Sequence, residues 1–461
     1  MNQNKNTNQN QAYLLGEEKI KKSLLTLSIP AIIGMLINGI YNLVDTIFVG
    51  QKIGTMGIAG LAVYIPILTL IMAVCSMLGI GAGSYFSRSF GKKDIETTNH
   101  ITGNTILLSL LFGAIFGTLG FIYAEPILLL FGATETILPY ALPYTKVMFI
   151  GTTYFPFVIA MNNLLRAEGN AKNAMTAMLI GAIGNIALDW LFVFHLNMGL
   201  AGAAIATNIA KGFSVIYMIW YFQWSGHTMV RLKWRHFLLK MSIMKEIFSV
   251  GSSSFAMNIA GTITISLTNY FLGTFGGDIA IASYGLIYRI LMLEVMALIG
   301  LVQGLQPLIG FNYGAKKIER VHQAVNITVQ WTFLIGFIVM AICELFPSLV
   351  IRVFSSDPQL IHYAVLPLRI IMISTIFIGI QMTYTVFFQS LGFAKTAFFL
   401  SILRQIILFV PFLILSSVVF RFGVIGIWVC FPLSDSISTL ISVIVYRKKS
   451  TSLRFLYSQN V

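Results

Sequence analysis

Apolar runs of about twenty residues recur along the chain, separated by short turns where polar and charged residues collect. As a helix, a run of that length spans the roughly 30 Å of bilayer hydrocarbon. Twelve spans are predicted, at about 24–50, 58–86, 100–123, 139–160, 173–194, 199–222, 248–273, 281–310, 324–346, 361–386, 397–419 and 423–446. The pattern then repeats at a spacing of 223 residues: Gly50, Gly81, Gly91 and Gly169 recur as Gly273, Gly304, Gly314 and Gly392. Lys93-x-Ile95-Glu96 recurs likewise as Lys316-x-Ile318-Glu319.

Each repeat holds six helices, an even number, so both units enter the membrane with the same orientation. A pseudo-two-fold axis along the membrane normal follows, with a cleft between the units. The expected fold is an all-α polytopic membrane protein of twelve transmembrane helices in two six-helix lobes. Its divisions are a disordered tail at 1–22, an N-lobe at 23–223, a linker at 224–246, a C-lobe at 247–446 and a C-terminal tail at 447–461. Trp224, Trp234 and the basic residues around them predict an interfacial helix in the linker.

Composition agrees, with 57% hydrophobic and 10% charged residues, against about 25% charged in a soluble domain. The net charge of +14 is unevenly placed. Arg88, Lys92 and Lys93 follow the second span, Arg231 to Lys245 follow the sixth, and Arg447, Lys448, Lys449 and Arg454 follow the last. The opposite turns carry only Lys52, Arg352 and Arg421. By the positive-inside rule both termini lie in the cytoplasm, at the cell membrane. Inner-leaflet lipid accounts for the basic excess without nucleic acid. Cys75, Cys343 and Cys430 fall inside spans as small packing residues, and the six histidines lack metal-ligand spacing. No Walker sequence, G-x-S-x-G or C-x-x-C is present, so no enzyme is expected and any energy comes from an ion gradient.

Most acids lie in tails or loops, while Asp45, Asp189, Glu294 and Asp435 fall within spans, where a carboxylate is costly. Asp45 and Asp189 are about five residues from the outer ends of spans one and five, roughly 8 Å deep. Asn185 shares a helical face with Asp189, and Thr207 enters from the same side. These groups could ligate a cation or share a proton, or Asp45 could be a helix-end acid reaching for water. In the repeat register Asp45 stands opposite Thr268 and Asp189 opposite Phe412, so their task belongs to one lobe. Glu294 and Asp435, with Arg289, Arg369 and Arg404 in neighbouring spans, read as structural ion pairs or as a polar patch facing substrate. Glu294 and Arg289 point about 140° apart and are not expected to pair. Pro30 removes a backbone hydrogen bond early in span one and predicts a hinge; its counterpart is Ser253.

Taken together, several motifs resemble the MATE (multidrug and toxic compound extrusion) family, in its DinF/MepA-like branch. They are Ser28-Ile-Pro30, Asn42-Leu-Val-Asp45, Arg166-Ala-Glu-Gly169, Gly184-Asn185-Ile-Ala-Leu-Asp189, Gly199 to Thr207, and Gln306-Pro307 to Gly314. The resemblance implies a two-lobed antiporter that exports amphipathic, often cationic compounds by alternating access, with H+ favoured and Na+ possible as coupling ion. It implies that Asp45, Asn185, Asp189 and Thr207 form the coupling site. Tyr144, Tyr41 and Glu294 are then placed toward substrate, and Pro30 lets the first helix rearrange. Where the family often has a proline in helix seven, Ser253 stands here. No cofactor beyond the coupling ion is expected, and the partners are small molecules and membrane lipids around a monomer. The alternatives are a lipid-linked oligosaccharide flippase of the same superfamily and a membrane protein without transport activity.

Overall fold

In lipid every backbone N–H and C=O must be satisfied within its own segment, which leaves an apolar chain of this kind little choice but helix. The computed structural model describes residues 10–458. The first six spanning helices are α1 (Ile20–Ile53), α2 (Thr55–Gly91), α3 (Ile95–Ile122), α4 (Leu138–Thr152 and Phe155–Ala167, bent by 47°), α5 (Ala171–His195) and α6 (Gly199–Gln223). The continuous stretch Met241–Gly314 turns at Gly277, where φ is 65°, and so supplies two spans, α7 and α8. The remainder are α9 (Ile318–Leu345), α10 (Pro358–Leu391), α11 (Ala394–Val419) and α12 (Gly423–Leu453). Twelve crossing helices in two lobes are therefore present, as the hydrophobic pattern predicts.

The repeat is written into the backbone. Left-handed residues pair at a spacing of 223 for Gly54 and Gly277, Lys93 and Lys316, and Gly169 and Gly392. Further on the spacing is 224, for Asn197 and Arg421 and for Gly199 and Gly423. A π-helical stretch at Leu403–Phe409 in α11 faces ordinary α-helix in α5. A π-turn accommodates one extra residue, which accounts for the slip. The counterpart of Asp189 is thus Leu413 rather than Phe412, still an apolar residue.

The described ends of the chain lie at one end of the bundle, here the terminal face, opposite the far face: Gly16 is held by Lys317 and Ser450 by His322. In the terminal-face half a single buried core runs through both lobes, joining Leu24, Leu78, Phe86 and Leu164 to Ile247, Leu305, Phe387 and Leu400. In the far half the core divides. One cluster holds Tyr64, Tyr144 and Leu200, and a separate one holds Tyr284, Leu368 and Trp428.

Glycine makes the joined half possible. A Cβ on Gly81 would lie 2.1 Å from the Ile247 carbonyl oxygen, and one on Gly304 2.7 Å from the Ser28 nitrogen. Gly91 meets the Phe311 carbonyl while Gly314 meets that of Arg88, the same contact made twice by the pseudo-symmetry. In the far half, Gly50, Gly60 and Gly273 touch only atoms of their own lobe. Polar bonds follow the same division. Ser28 donates to the Leu301 carbonyl (3.1 Å), Gln306 to that of Ile80 (3.2 Å), and Arg88 pairs with Glu246 at 2.7 Å. The lobes are riveted at one end and part toward the other. Helix α1 runs through Pro30 as one continuous helix.

Three expectations are corrected. The tail at 1–22 is ordered from residue 10, with helix at 10–16 and Leu15 fully buried; its residues 1–9 lie outside the described part. Hydrogen bonds to the Leu15 and Gly16 carbonyls from Asn312 (2.7 Å) and Lys317 (2.9 Å) hold it against α8 and the turn that follows. The linker is not an interfacial helix. It is irregular apart from a 3-10 turn at Trp234–Phe237, and α7 already begins at Met241. Side chains of the first lobe take its backbone groups: Asn99 accepts from Arg231 N–H (2.8 Å), and Asn104 accepts from Lys240 N–H (2.8 Å) and donates to the His236 and Leu238 carbonyls. With its peptide groups satisfied from outside, the segment has no need of helix, and Trp234 stands 92% exposed. Third, residues 447–458 of the C-terminal tail continue α12 as helix, with Leu453 buried, and its residues 459–461 lie outside the described part.

Glu168, fully buried beyond the end of α4, fastens the same linker. It accepts from the Met229 N–H and from the Thr228 hydroxyl (2.9 Å). Burial pushes its carboxyl up to about 7 from 4.5, against the pull of those two bonds. A raised folded-state value favours the protonated form, so this group's stabilising contribution is complete below the unfolded value and is lost as pH rises through about 7. The melting temperature of the purified protein, read relative to Glu168→Gln, should therefore fall between about pH 5 and about pH 8; parallel curves would refute the assignment. At the seam, Gly81→Ala should cost on the order of 1–3 kcal/mol in thermal unfolding. Gly212→Ala, whose Cβ meets nothing within 4 Å, should cost nothing.

Candidate functional site

The divided half of the first lobe holds two of the buried acids that lack a partner, Asp45 and Asp189. Asp45 comes from α1, Asn185 and Asp189 from α5, Thr207 from α6, Tyr144 from α4 and Tyr64 from α2. Local packing fixes each. Phe48 of α1 meets Phe194 of α5 edge to face with centroids 5.1 Å apart, one turn beyond the two acids. Tyr64 and Tyr144 meet the same way at 5.2 Å. Asn208 of α6 donates to the Val147 carbonyl of α4 (2.5 Å) and accepts through its own carbonyl from the Tyr154 hydroxyl (2.7 Å).

Within this frame Asn185 donates from Nδ2 to Thr207 Oγ1 at 3.2 Å, which leaves its Oδ1 free. Asp189 and Asn185 are buried and Asp45 half-buried. Oδ1 of Asp45, Oδ1 of Asn185 and both carboxylate oxygens of Asp189 are buried without a hydrogen-bond partner among the described residues. Asp45 and Asp189 lie within electrostatic range of each other, and both lie within range of the Tyr144 hydroxyl, as does Tyr41. Buried polar atoms are nearly always satisfied, so four oxygens without a partner among the described residues make this cluster the candidate site. The set is all oxygen and doubly acidic. It suits a proton or a hard cation, and no soft metal.

The sequence-predicted residues Asp45, Asn185, Asp189, Thr207, Tyr144 and Tyr41 are thus brought together. Glu294 is not part of this group. It sits in α8 of the second lobe, buried, with both oxygens unpartnered and Asp435 within electrostatic range. Asp435 pairs with Arg404 at 3.3 Å. Arg289 forms no ion pair among the described residues, as the helical geometry predicts, and Arg369 pairs with Glu344 at 3.5 Å. Thr268, opposite Asp45, is fully buried and donates to the Thr264 carbonyl at 2.7 Å. The acid pair has no twin at the equivalent place.

Two groupings escaped the sequence. Glu96, His100 and His236 converge, with ligand atoms within 4.8 Å of one another. Sequence spacing could offer only the Glu96–His100 half. The cluster has a metal site's shape but not its protonation. His236 Nδ1 accepts from the Lys233 N–H (2.9 Å), so in the neutral ring Nε2 carries the hydrogen, directed at Glu96 Oε1 (3.2 Å). Arg235 takes the same carboxylate oxygen at 3.0 Å. The cluster is a clasp for the linker. The other is Lys211 in α6, whose ammonium lies 5.2 Å from the centroid of the Tyr41 ring. Its signal was available: a lysine one turn from Thr207 inside an apolar span.

A bundle of twelve membrane-crossing helices in two glycine-riveted, repeat-related lobes is the architecture of a membrane transporter. The chain belongs to the MatE family, whose model matches residues 30–191 and again 253–415, one match per lobe. It is 26% identical over 435 residues to the multidrug export protein MepA of Staphylococcus haemolyticus (strain JCSC1435), covering 94% of this chain and 95% of that protein. MepA of Staphylococcus aureus (strain NCTC 8325 / PS 47) is 25% identical over the same shares. Among solved structures, a multidrug resistance MATE transporter described as outward-facing aligns with a TM-score of 0.91 at 26% identity, over 96% of this chain and 98% of that one.

Proposed function

We propose that this protein is a cation-coupled multidrug antiporter, with H+ the favoured coupling ion and Na+ an alternative that the same oxygens could ligate. The observation that carries the reading is the set of four unpartnered oxygens on Asp45, Asn185 and Asp189, lodged where the lobes part. Two carboxylates retain the cationic end of an amphipathic compound. Protonation of the pair removes that attraction and favours release. Exchange then requires only that proton and substrate differ in affinity between the two access states. Pro30 supports a local rearrangement of α1, because its missing N–H leaves a break in the helix ladder one end of which lies at the seam. With both termini in the cytoplasm, as the basic turns favour, the parted half faces outward. An acidic first lobe and twelve spans weigh against the lipid-linked oligosaccharide flippase.

In liposomes, imposed pH and sodium gradients should separate the ions, with ethidium moving against the proton gradient. Asp45→Asn and Asp189→Asn should each lower coupled uptake at least about tenfold, the scale of one lost charge interaction. Equal transport by all three proteins would remove the coupling site. Failure of the wild type with several dyes would favour the flippase or a protein without transport. Orientation is checked separately. The three native cysteines are buried, so a membrane-impermeant maleimide should label Trp234→Cys in inside-out vesicles and not in intact cells.

A further inference from the structure

Lys211 is the central residue of α6, twelve residues from Gly199 and twelve from Gln223. At 1.5 Å per residue either end is about 18 Å away, beyond the reach of a four-carbon stem. This lysine does not snorkel. It is half-buried, forms no hydrogen bond or ion pair among the described residues, and rests on the face of Tyr41. An aromatic face recovers about 0.5–2 kcal/mol, less than the several kcal/mol that an ammonium at mid-membrane costs. Such a charge is retained for a reason other than stability.

Its position relative to the acids is set by helix geometry. Tyr41 precedes Asp45 by four residues and Lys211 follows Thr207 by four, so each shares a face with its partner in the coupling site. Both steps run toward the terminal face. The wall of the first lobe therefore carries an acidic layer and, about 6 Å deeper, a basic one. The repeat supplies a control. At the local spacing of 224, Lys211 corresponds to Asp435. Asp435 is buried and paired with Arg404, a charge with its counter-charge built in. Lys211 occupies the same place with the opposite sign and no counter-charge.

We propose that Lys211 is a specificity-determining residue that receives an anionic group of the transported compound. The first-lobe site then selects amphipathic zwitterions, with the cationic end at Asp45 and Asp189 and a carboxylate at Lys211. This rests on the reading of that lobe as the substrate site, and it narrows the substrate class. A compound with both charges satisfies both layers, whereas a purely cationic one leaves the ammonium unpaired and repelled.

The test uses rhodamine B, which carries a carboxylate, and its ethyl ester, a cation on the same ring system, with binding to the purified full-length protein read by fluorescence anisotropy. Wild type should bind the acid about tenfold more tightly than the ester, the scale of one charge pair. Lys211→Met and Lys211→Gln should bring the ratio near one by weakening the acid, while Lys211→Arg should preserve it. Using two neutral variants protects against misfolding of either. A ratio unchanged in the neutral variants, or equal weakening of both dyes, overturns the assignment while leaving the antiporter reading intact. Failure of the wild type to bind either dye overturns instead the reading of the lobe as a substrate site.

Discussion

The structure depends on backbone meeting backbone without a side chain between. Where Gly81 faces Ile247 and Gly91 faces Phe311, any Cβ would enter a carbonyl oxygen of the other lobe. In lipid no hydrophobic drive holds apolar helices together, so close approach and the dispersion and hydrogen bonds it allows must do so. Because these glycines are confined to one half of the bundle, so is the shared core. The other half is left as two separate cores. The seam and the site are consequences of the same distribution of small residues.

On this frame the two lobes have diverged in charge while keeping their backbone. Lys93 and Lys316 share a φ of 61°, and Asn197 and Arg421 one of 51°, so the turns are conserved to within degrees between copies. The side chains at equivalent depths are not. Asp45 answers to Thr268 and Lys211 to Asp435. In the second lobe Asp435 is paired with Arg404, while Glu294 is buried with neither oxygen partnered among the described residues. Where the first lobe has charge, at Asp45, Asp189 and Lys211, no described residue neutralises it. Unpaired charge in a low-dielectric setting is unfavourable unless a mobile ion or ligand completes it, and only the first lobe sets two such carboxylates within range of each other, which is why the chemistry is assigned there.

The linker illustrates how polar side chains replace regular structure. Asn99, Asn104, Glu96 and Glu168 bind its peptide groups and side chains from the end of the first lobe, and Gln11 of the N-terminal helix reaches the His227 carbonyl. These bonds hold it to the first lobe, while the Arg88–Glu246 pair joins the first lobe directly to α7. Interfacial tryptophans suggested a helix here because periodicity says nothing about partners distant in sequence.

Much is legible in the sequence itself. Span number, the repeat, and the candidacy of Asp45, Asn185, Asp189 and Thr207 follow from apolar run length, glycine spacing and the cost of a buried carboxylate, all of them local or periodic properties. The slip in register at Leu403–Phe409, the clasp of His236 on Glu96, the separation of Glu294 from the acid pair and the perch of Lys211 on Tyr41 were decided by tertiary structure alone. All but the slip, which is a π-turn within α11, are relations between separate segments. A chain's own pattern records which face of a helix is apolar, but which neighbour meets that face, and at what depth, is settled only when the helices pack.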